Sequence, residues 1–386
     1  MKFILRKGET RVSKKLSGVV FLAAVFAVPL FLLLRGGGRP LWDAAAGDAG
    51  TFAKLEQTLA GQFPSSDALR RLQVSLNYMG GGKEQNGVFI SGGSLTLDVQ
   101  PKSLSVINDN TLAMIDFADD YQIPSYVMLI PTACAVQQGK VPYDSIAPLY
   151  NQPQLIDDVY RRVSGHVTAI NVYPTLFNHQ DEYIYYNTDN TTTGLGGFYI
   201  YTAVAKKLGL RPRALEDFSI EHIDYDYYGD LYALSPYREV SPDRVSVYNY
   251  NSQYQRSYTV THYSADGTSR RYYTLYPKFK KELGGTMDVP LGGLSPVIDI
   301  DIGNPSYINR LLIFGDGSVQ SYLPFLLIYY EQVTFVDTAT VTPELLQGLR
   351  LGRYNQVLFA FSVDSYVSAD QLSLLSGLPA PPGRQS

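Results

Sequence analysis

Two polar segments contain the residue types of a nucleophilic acyl-transfer or ester-hydrolysis site. The first, Ile184–Ile200, holds Asp189 in a loop that leads into a helical pattern, with Thr193 where a helix cap is expected. The second, Leu311–Phe325, is an apolar strand pattern that ends in Gly315-Asp316-Gly317-Ser318 before a helix. Ligands bind at the carboxyl ends of strands in open α/β sheets, and N–H groups at a helix start stabilise oxyanions. The two segments therefore predict one site.

The missing component of this site is a base. A serine hydroxyl such as that of Ser318 needs a positioned base, most often His, to take its proton. No histidine lies in either segment, so His179 or His222 would have to reach in. Asp189 has two interpretations, a surviving triad acid or a loop stabiliser. For Asp316 we expect a turn residue rather than a catalytic acid, and for Ser318 a helix N-cap or first-turn residue.

Composition argues against several other kinds of site. The 386 residues carry a formal net charge of −4 with no basic stripe beyond the N-terminus, which argues against nucleic-acid binding. The four histidines, His166, His179, His222 and His262, stand singly without zinc-ligand spacing, so neither a metal nor a cofactor is expected. The lone Cys134 lies in an apolar stretch and is expected to be a buried small residue.

Five short apolar runs predict the parallel strands that position the site. They are rich in β-branched and aromatic residues, which is typical of a sheet covered by helices on both faces. The runs are Tyr126–Ile130, Val167–Val172, Leu311–Phe314, Val333–Val336 and Val357–Phe361. The fold class is therefore predicted to be α/β with a parallel sheet.

Two hairpins and an insertion accompany these strands. Val88–Ile90 and Leu95–Leu97 predict a first hairpin. A Tyr-rich segment, residues 218–301, breaks the strand and helix rhythm and is expected to be an inserted antiparallel β subdomain. Within it, Tyr258–Tyr263 and Arg271–Tyr276 flank an Asp-Gly pair, which favours a second hairpin.

The ends of the chain have a composition of their own. Residues 1–15 are basic and precede an uncharged apolar run, residues 16–34, that is long enough to span a membrane. The basic flank predicts a single-pass cell-membrane anchor with a cytoplasmic N-terminus and an extracytoplasmic domain after the linker 35–50. A cleaved signal peptide is the alternative, although its apolar region is usually shorter, roughly 7–15 residues. Helical spacing over 51–78 predicts two short helices, and residues 376–386 a disordered tail.

Three further landmarks extend a family resemblance that the two polar segments begin. With them, the chain resembles the DHHW proteins, membrane-anchored bacterial proteins related to SGNH hydrolases and to the alginate O-acetylation proteins of the cell envelope. The resemblance covers about residues 55–370 and implies an SGNH hydrolase-like domain over 51–375. The landmarks are Val127–Thr132 followed by Lys140–Pro142, Tyr228–Tyr232 with Ser235, and Pro242 with Asp243.

The chain departs from this family at the positions that matter for catalysis. The family name describes Asp-His-His-Trp followed by Thr, and the matching residues here are Asp189-Asn-Thr191-Thr-Thr193. In the relatives the nucleophile follows a Gly-Asp pair, whereas Gly317 follows it here and Ser318 comes one place late. The resemblance thus implies a site that has lost both its base and its nucleophile.

We therefore expect a catalytically degenerate, binding or accessory component of cell-envelope or exopolysaccharide modification. The implied partners are an envelope polysaccharide and a membrane-bound acyltransferase. One alternative is an active O-acetyltransferase or esterase that uses Ser318 with Asp189 and a displaced His; another is a structural surface protein with a filled cleft. The 31 tyrosines are expected mostly in the core and on the sheet, with a glycan-binding platform as the alternative.

Overall fold

The computed structural model describes residues 66–142, 149–251, 256–303 and 307–379. By its internal contacts the chain divides into two units, residues 1–73 and 74–386, and the sheet lies in the second. The predicted basic tail, membrane span and linker, residues 1–50, fall outside the described residues. Among the residues that are described, none forms a helix both long enough and apolar enough to cross a membrane.

The described residues contain thirteen strands and eleven α-helices. In chain order the strands are β1 (Glu84–Gln85), β2 (Val88–Ser91), β3 (Ser94–Leu97), β4 (Ser125–Ile130), β5 (Thr168–Ala169), β6 (Phe218–Tyr227), β7 (Asp243–Tyr250), β8 (Ser257–Tyr263), β9 (Ser269–Tyr272), β10 (Val297–Gly303), β11 (Arg310–Gly315), β12 (Gln332–Asp337) and β13 (Gln356–Ser362). The helices are α1 (Ser66–Met79), α2 (Leu104–Tyr121), α3 (Ala133–Val136), α4 (Gln152–Val163), α5 (Tyr173–Asn178), α6 (Gly194–Lys207), α7 (Asp230–Leu234), α8 (Lys280–Leu283), α9 (Val319–Leu326), α10 (Pro343–Gln347) and α11 (Val363–Ser368).

All five predicted parallel runs lie side by side in one sheet. The order of this eight-stranded sheet is β5-β4-β13-β11-β12-β10-β8-β9, and its first five strands are parallel. Continuous apolar runs suit these strands because side chains alternate between two buried faces. On β11, Leu311 and Ile313 pack in the cluster that includes α6 and α9, whereas Leu312 and Phe314 pack in the cluster that includes α2 and α4. The α/β prediction is confirmed.

The Tyr-rich segment, predicted to be an inserted antiparallel β subdomain of the same domain, is antiparallel but divides between two sheets. Only β6 and β7 form a sheet of their own, whereas β8, β9 and β10 extend the main sheet in antiparallel fashion. The reason lies in β10, whose apolar residues Ile298, Ile300 and Ile302 are buried in the main core beside the parallel strands. Both predicted hairpins, β2–β3 and β8–β9, are present.

Three further predictions can be compared with the described residues. Cys134 is buried in α3, as expected, and burial next to Asp98 raises the pKa of its thiol to about 12. The tail predicted to be disordered from 376 is ordered as far as 379. Leu378 is buried, and the Tyr121 hydroxyl donates to the Pro379 carbonyl oxygen at 2.7 Å. Of the two helices predicted over 51–78, α1 is described, and the residues before it are not.

Candidate functional site

The loop that carries Asp189 is a tight hairpin leading into α6. Its two sides meet at an antiparallel bridge between Tyr185 and Thr192. Thr193 then caps α6 as predicted, because its hydroxyl oxygen accepts from the Gly196 amide at 3.2 Å. The hairpin thereby fixes Asp189 near its tip.

Asp243, one of the family landmarks, organises the first half of this loop. Its buried carboxylate accepts from the backbone amides of Asn187 and Thr188, both at 2.8 Å, and from the Thr188 hydroxyl at 2.5 Å. The Tyr183 hydroxyl donates to the same carboxylate at 2.5 Å. A buried charge with this many donors is satisfied without a cationic partner. Asp243 is therefore a loop-positioning residue.

Asp189 is satisfied in the same way by its own surroundings. One carboxylate oxygen accepts from the Thr191 amide at 3.1 Å and from the Thr191 hydroxyl at 2.8 Å. The other accepts from the Tyr227 hydroxyl at 2.7 Å and from the Asp230 amide at 3.3 Å. Burial raises the pKa of Asp230 and of Tyr227, and the negative charge of Asp189 raises both further. These contacts are those of a loop stabiliser.

The second segment forms a turn between β11 and α9 that Asp316 holds in place. One carboxylate oxygen accepts from the Ser318 amide at 2.9 Å, as expected of a turn residue. The other accepts from the amide of Ser362 at 2.7 Å and from its hydroxyl at 2.8 Å, which ties the turn to the end of β13. Burial raises the pKa of the neighbouring Asp337 and Asp364, and the charge of Asp316 adds to this in both.

Ser318 occupies the N-cap position of α9, but its side chain does not cap the helix. The predicted position at the start of the helix is confirmed. Within the described part of the chain, the Ser318 hydroxyl is buried and has no hydrogen-bond partner, as is true of the Tyr322 hydroxyl and the Asn190 side-chain oxygen. Buried polar groups are seldom left in this state.

The two segments meet in one opening, called here the main cleft. Its cavity of about 310 Å³ is lined by residues of both, including Asp189, Thr191, Gly317 and Ser318. A hydrogen bond of 2.9 Å from the Thr192 hydroxyl to the Ser321 hydroxyl joins them directly. The volume lies at the lower end of the range of ligand pockets, roughly 300–1,000 Å³.

Glycine permits the close contact of helices α6 and α9 behind this cleft. A β-carbon on Gly197 would collide with the Ser321 carbonyl oxygen, and one on Gly196 would collide with that of Ile184. The Gly-Leu-Gly-Gly sequence that opens α6 is therefore a packing requirement, and it brings the Asp189 loop against the Ser318 turn.

No histidine is among the residues that line the main cleft. The imidazole of His179 pairs with the Glu182 carboxylate at 2.6 Å and stacks on Tyr199. His262 is buried, and its ring nitrogens contact the Leu291 carbonyl oxygen and the Ser295 hydroxyl. The imidazole of His222 contacts the Ser246 hydroxyl. Neither His179 nor His222 is therefore placed to take a proton from Ser318.

His222 forms a contact that sequence reasoning missed. Its Nδ1 lies 2.8 Å from the hydroxyl oxygen of Ser246, which lines the main cleft. The two residues face each other across β6 and β7. Both sit in alternating polar and aromatic strand patterns, and only the register of the hairpin reveals that they are opposite.

Metal ligands and tyrosines are the other candidate binding residues. No group of three or more His, Cys, Asp or Glu side chains within the described ranges is arranged to hold a metal ion. Tyr201, Tyr322, Tyr329, Tyr330 and Tyr366 are fully buried. Four others, Tyr186, Tyr227, Tyr248 and Tyr276, line the main cleft.

Comparisons with known proteins identify the family and the fold. A model of the family described as DHHW protein matches residues 82–336, more than half of the chain. A DHHW family protein from Eubacterium siraeum is 20% identical with a TM-score of 0.63, over 76% of this chain and 97% of that one. Bacillus cereus PatB1 with a sulfonyl adduct is 16% identical with a TM-score of 0.62, over 74% and 98%.

A third solved structure is more distant. The O-acetyltransferase domain of Pseudomonas putida AlgJ is 13% identical with a TM-score of 0.43, over 78% of this chain and 96% of that one. No curated protein matches the chain. The first two structures support the fold, an α/β architecture with a parallel-rich sheet.

Proposed function

Because the chain belongs to the DHHW family, we propose that its main cleft binds cell-envelope polysaccharide, as an accessory component of envelope or exopolysaccharide modification. In this proposal Thr191 and Gly317, which stand at the family's catalytic positions, act neither as base nor as nucleophile. One observation carries it: within the described residues the Ser318 hydroxyl has no hydrogen-bond partner, and none of the residues that line the cleft is a histidine. A hydroxyl without a base in reach is a poor nucleophile.

The wall of the cleft supports a neutral, acylated glycan as the ligand. Leu294, Tyr248 and Phe325 give it an apolar side that suits an acyl methyl group or a sugar face. Its charged lining residues, Asp189 and Asp230, are both acidic, and no Lys, Arg or His is among the lining residues. A uronate polymer would meet no countercharge there, so it is a poorer ligand.

Titration calorimetry tests this binding. The probes are acetylated xylo-oligosaccharides and the same oligosaccharides after alkaline removal of the acetyl groups. Leu294→Arg places a bulky charge at the cleft mouth, where the native side chain is 43% exposed and folding is not threatened. We expect at least a tenfold loss of affinity, and weaker binding of the deacetylated probe.

The matched control is Leu104→Arg, since Leu104 is 77% exposed and is not among the cleft-lining residues. It should bind like wild type. Equal affinity in both variants, or no binding by wild type, would contradict the proposal. The structural-protein alternative predicts a filled cleft, whereas this one is open.

We also propose that residues 16–34 anchor the chain in the cell membrane with the domain outside. The support is the uncharged apolar run behind a basic flank. Alkaline carbonate should leave the full chain in the membrane pellet, and protease added to intact spheroplasts should digest the domain. Release by carbonate would favour the cleaved signal peptide, and protection from protease would reverse the orientation.

A further inference from the structure

Ser246 and His222 have the geometry of a nucleophile and its base. The hydroxyl oxygen lies 2.8 Å from the imidazole Nδ1, within the reach that proton transfer requires. The pair is fixed by the β6–β7 hairpin, in which the two residues are direct cross-strand partners. His222 is exposed and Ser246 half-buried, so a reactant can approach them.

The pair opens into a second cavity beside the main cleft, called here the side cavity. Its volume is about 200 Å³, and Ser246, His222 and Arg244 are among its lining residues. Ser246, Gly194 and Tyr248 line both cavities, so they form a shared wall. A group held in the main cleft is therefore adjacent to Ser246.

The start of α6 lies at the same wall. A β-carbon on Gly194 would be 3.1 Å from the Ser246 carbonyl oxygen, which places the first turn of the helix against Ser246. Thr193 Oγ1 accepts from the Gly196 amide, whereas the first two helical amides have no intrahelical acceptor. Such amides next to a nucleophile suit a developing oxyanion, and they add to the hydroxyl–imidazole pair on which the inference rests.

We propose that Ser246, with His222 as general base, is a nucleophile for short-chain acyl esters, displaced from the family position to the rim of the main cleft. Ser246 Oγ attacks the carbonyl carbon while its proton passes to His222 Nδ1. The ester C–O bond breaks, the leaving alkoxide takes that proton, and an acyl-serine remains. Water or a sugar hydroxyl then gives its proton to Nδ1 and accepts the acyl group. The bond from the acyl carbon to Ser246 Oγ breaks, and Oγ takes the proton back from Nδ1.

The expected reaction is slow. Within the described residues no carboxylate is hydrogen-bonded to His222, and loss of the orienting carboxylate in a serine triad costs roughly 10⁴-fold in rate. Covalent capture is therefore a more sensitive readout than turnover. The proposal stands on the geometry of the pair and does not depend on what the main cleft binds.

The test is labelling of the full-length chain with phenylmethylsulfonyl fluoride, followed by peptide mass spectrometry. We expect the adduct on Ser246, about 10²-fold slower labelling in His222→Gln, and no adduct at this position in Ser246→Ala. His222→Gln should keep the wild-type melting temperature.

Ser219→Ala is the matched control, because Ser219 also lies on β6 and donates across to the Asn249 carbonyl oxygen without an imidazole. It should label like wild type. An adduct on Ser318, or a labelling rate unchanged in His222→Gln, would overturn the proposal. Calorimetry of wild type with the acetylated oligosaccharides is read independently of labelling, so failure of this pair and failure of the cleft as a binding site are separate results.

Discussion

Ser318 and Ser246 both line the main cleft, but the surroundings of their hydroxyl groups differ. Ser318 stands beside the family position on a turn held by Asp316, and no partner for its hydroxyl lies within the described residues. Ser246 stands on the wall formed by β7, far from either motif in sequence, and its hydroxyl meets an imidazole. The comparison teaches that proximity to a motif does not make a nucleophile; access to a base does.

The largest expected effect comes from returning both family residues. In Thr191→His/Gly317→Ser, a base and a nucleophile enter one cleft, and the β-carbon at 317 meets only the end of the Leu294 side chain. We expect acetyl-ester hydrolysis to rise by about 10²-fold or more over wild type. Neither single variant should reproduce the gain, which a chromogenic acetyl ester measures.

A second prediction concerns the loop that Asp189 holds. Tyr227→Phe removes the hydroxyl that donates to the buried carboxylate at 2.7 Å. The free energy of unfolding should fall by about 1–3 kcal/mol, because a buried acceptor loses a partner. Urea unfolding measures this, with Tyr225→Phe as the control since Tyr225 is 64% exposed. Equal stability of both variants would mean that Asp189 does not organise the cleft.

A smaller effect is expected in the carboxylates around the Ser318 turn. Burial and the Asp316 charge raise the pKa of Asp364, so its ionised form destabilises the fold at neutral pH. Asp364→Asn should therefore be more stable than wild type at pH 7, by about 1 kcal/mol. The advantage should shrink as pH falls through the raised pKa, since wild type then becomes neutral too.

The control for this prediction is Asp109→Asn, at an exposed position on α2. Its stability should stay near that of wild type across the same pH range. Loss of stability in Asp364→Asn at pH 7 would show that the carboxylate is needed in its charged form, which would bring it into the functional site.

The smallest expected effect is at the third candidate nucleophile. Burial raises the pKa of Cys134 to about 12, so its thiol remains protonated and shielded at pH 8. Iodoacetamide should leave it unmodified in the native chain over hours and alkylate it within minutes in urea. Rapid native alkylation would show that the core around α3 opens, and would add a competitor to the two serines.

The sequence predicted those parts of the molecule that depend on local patterns. Continuous apolar runs located the parallel strands, and the spacing of Thr193 before a helical stretch located its cap. Which sheet each strand of the Tyr-rich segment joins depends on pairing between distant strands, which composition does not encode. The Ser246–His222 contact has the same origin, since it exists only in the β6–β7 register.

The site residues were predicted to the same extent. Asp189, Thr191, Gly317 and Ser318 do line one cleft, because the carboxyl end of β11 and the start of α6 meet there. Ser318 lies at the start of α9 as predicted, but its side chain makes no capping hydrogen bond, and no described group bonds its hydroxyl. Side-chain direction at a strand-to-helix turn is a three-dimensional property.

The most direct test of the account is acetyl-ester hydrolysis by five full-length proteins: wild type, Ser246→Ala, Ser318→Ala, Thr191→His/Gly317→Ser, and the triple variant that adds Ser246→Ala to this pair. We predict slow hydrolysis by wild type that Ser246→Ala abolishes, and a gain from the double variant that survives in the triple variant. Wild-type hydrolysis that survives Ser246→Ala and disappears in Ser318→Ala would contradict the account, because the family turn would then carry the chemistry. A silent double variant would contradict the claim that the cleft is intact.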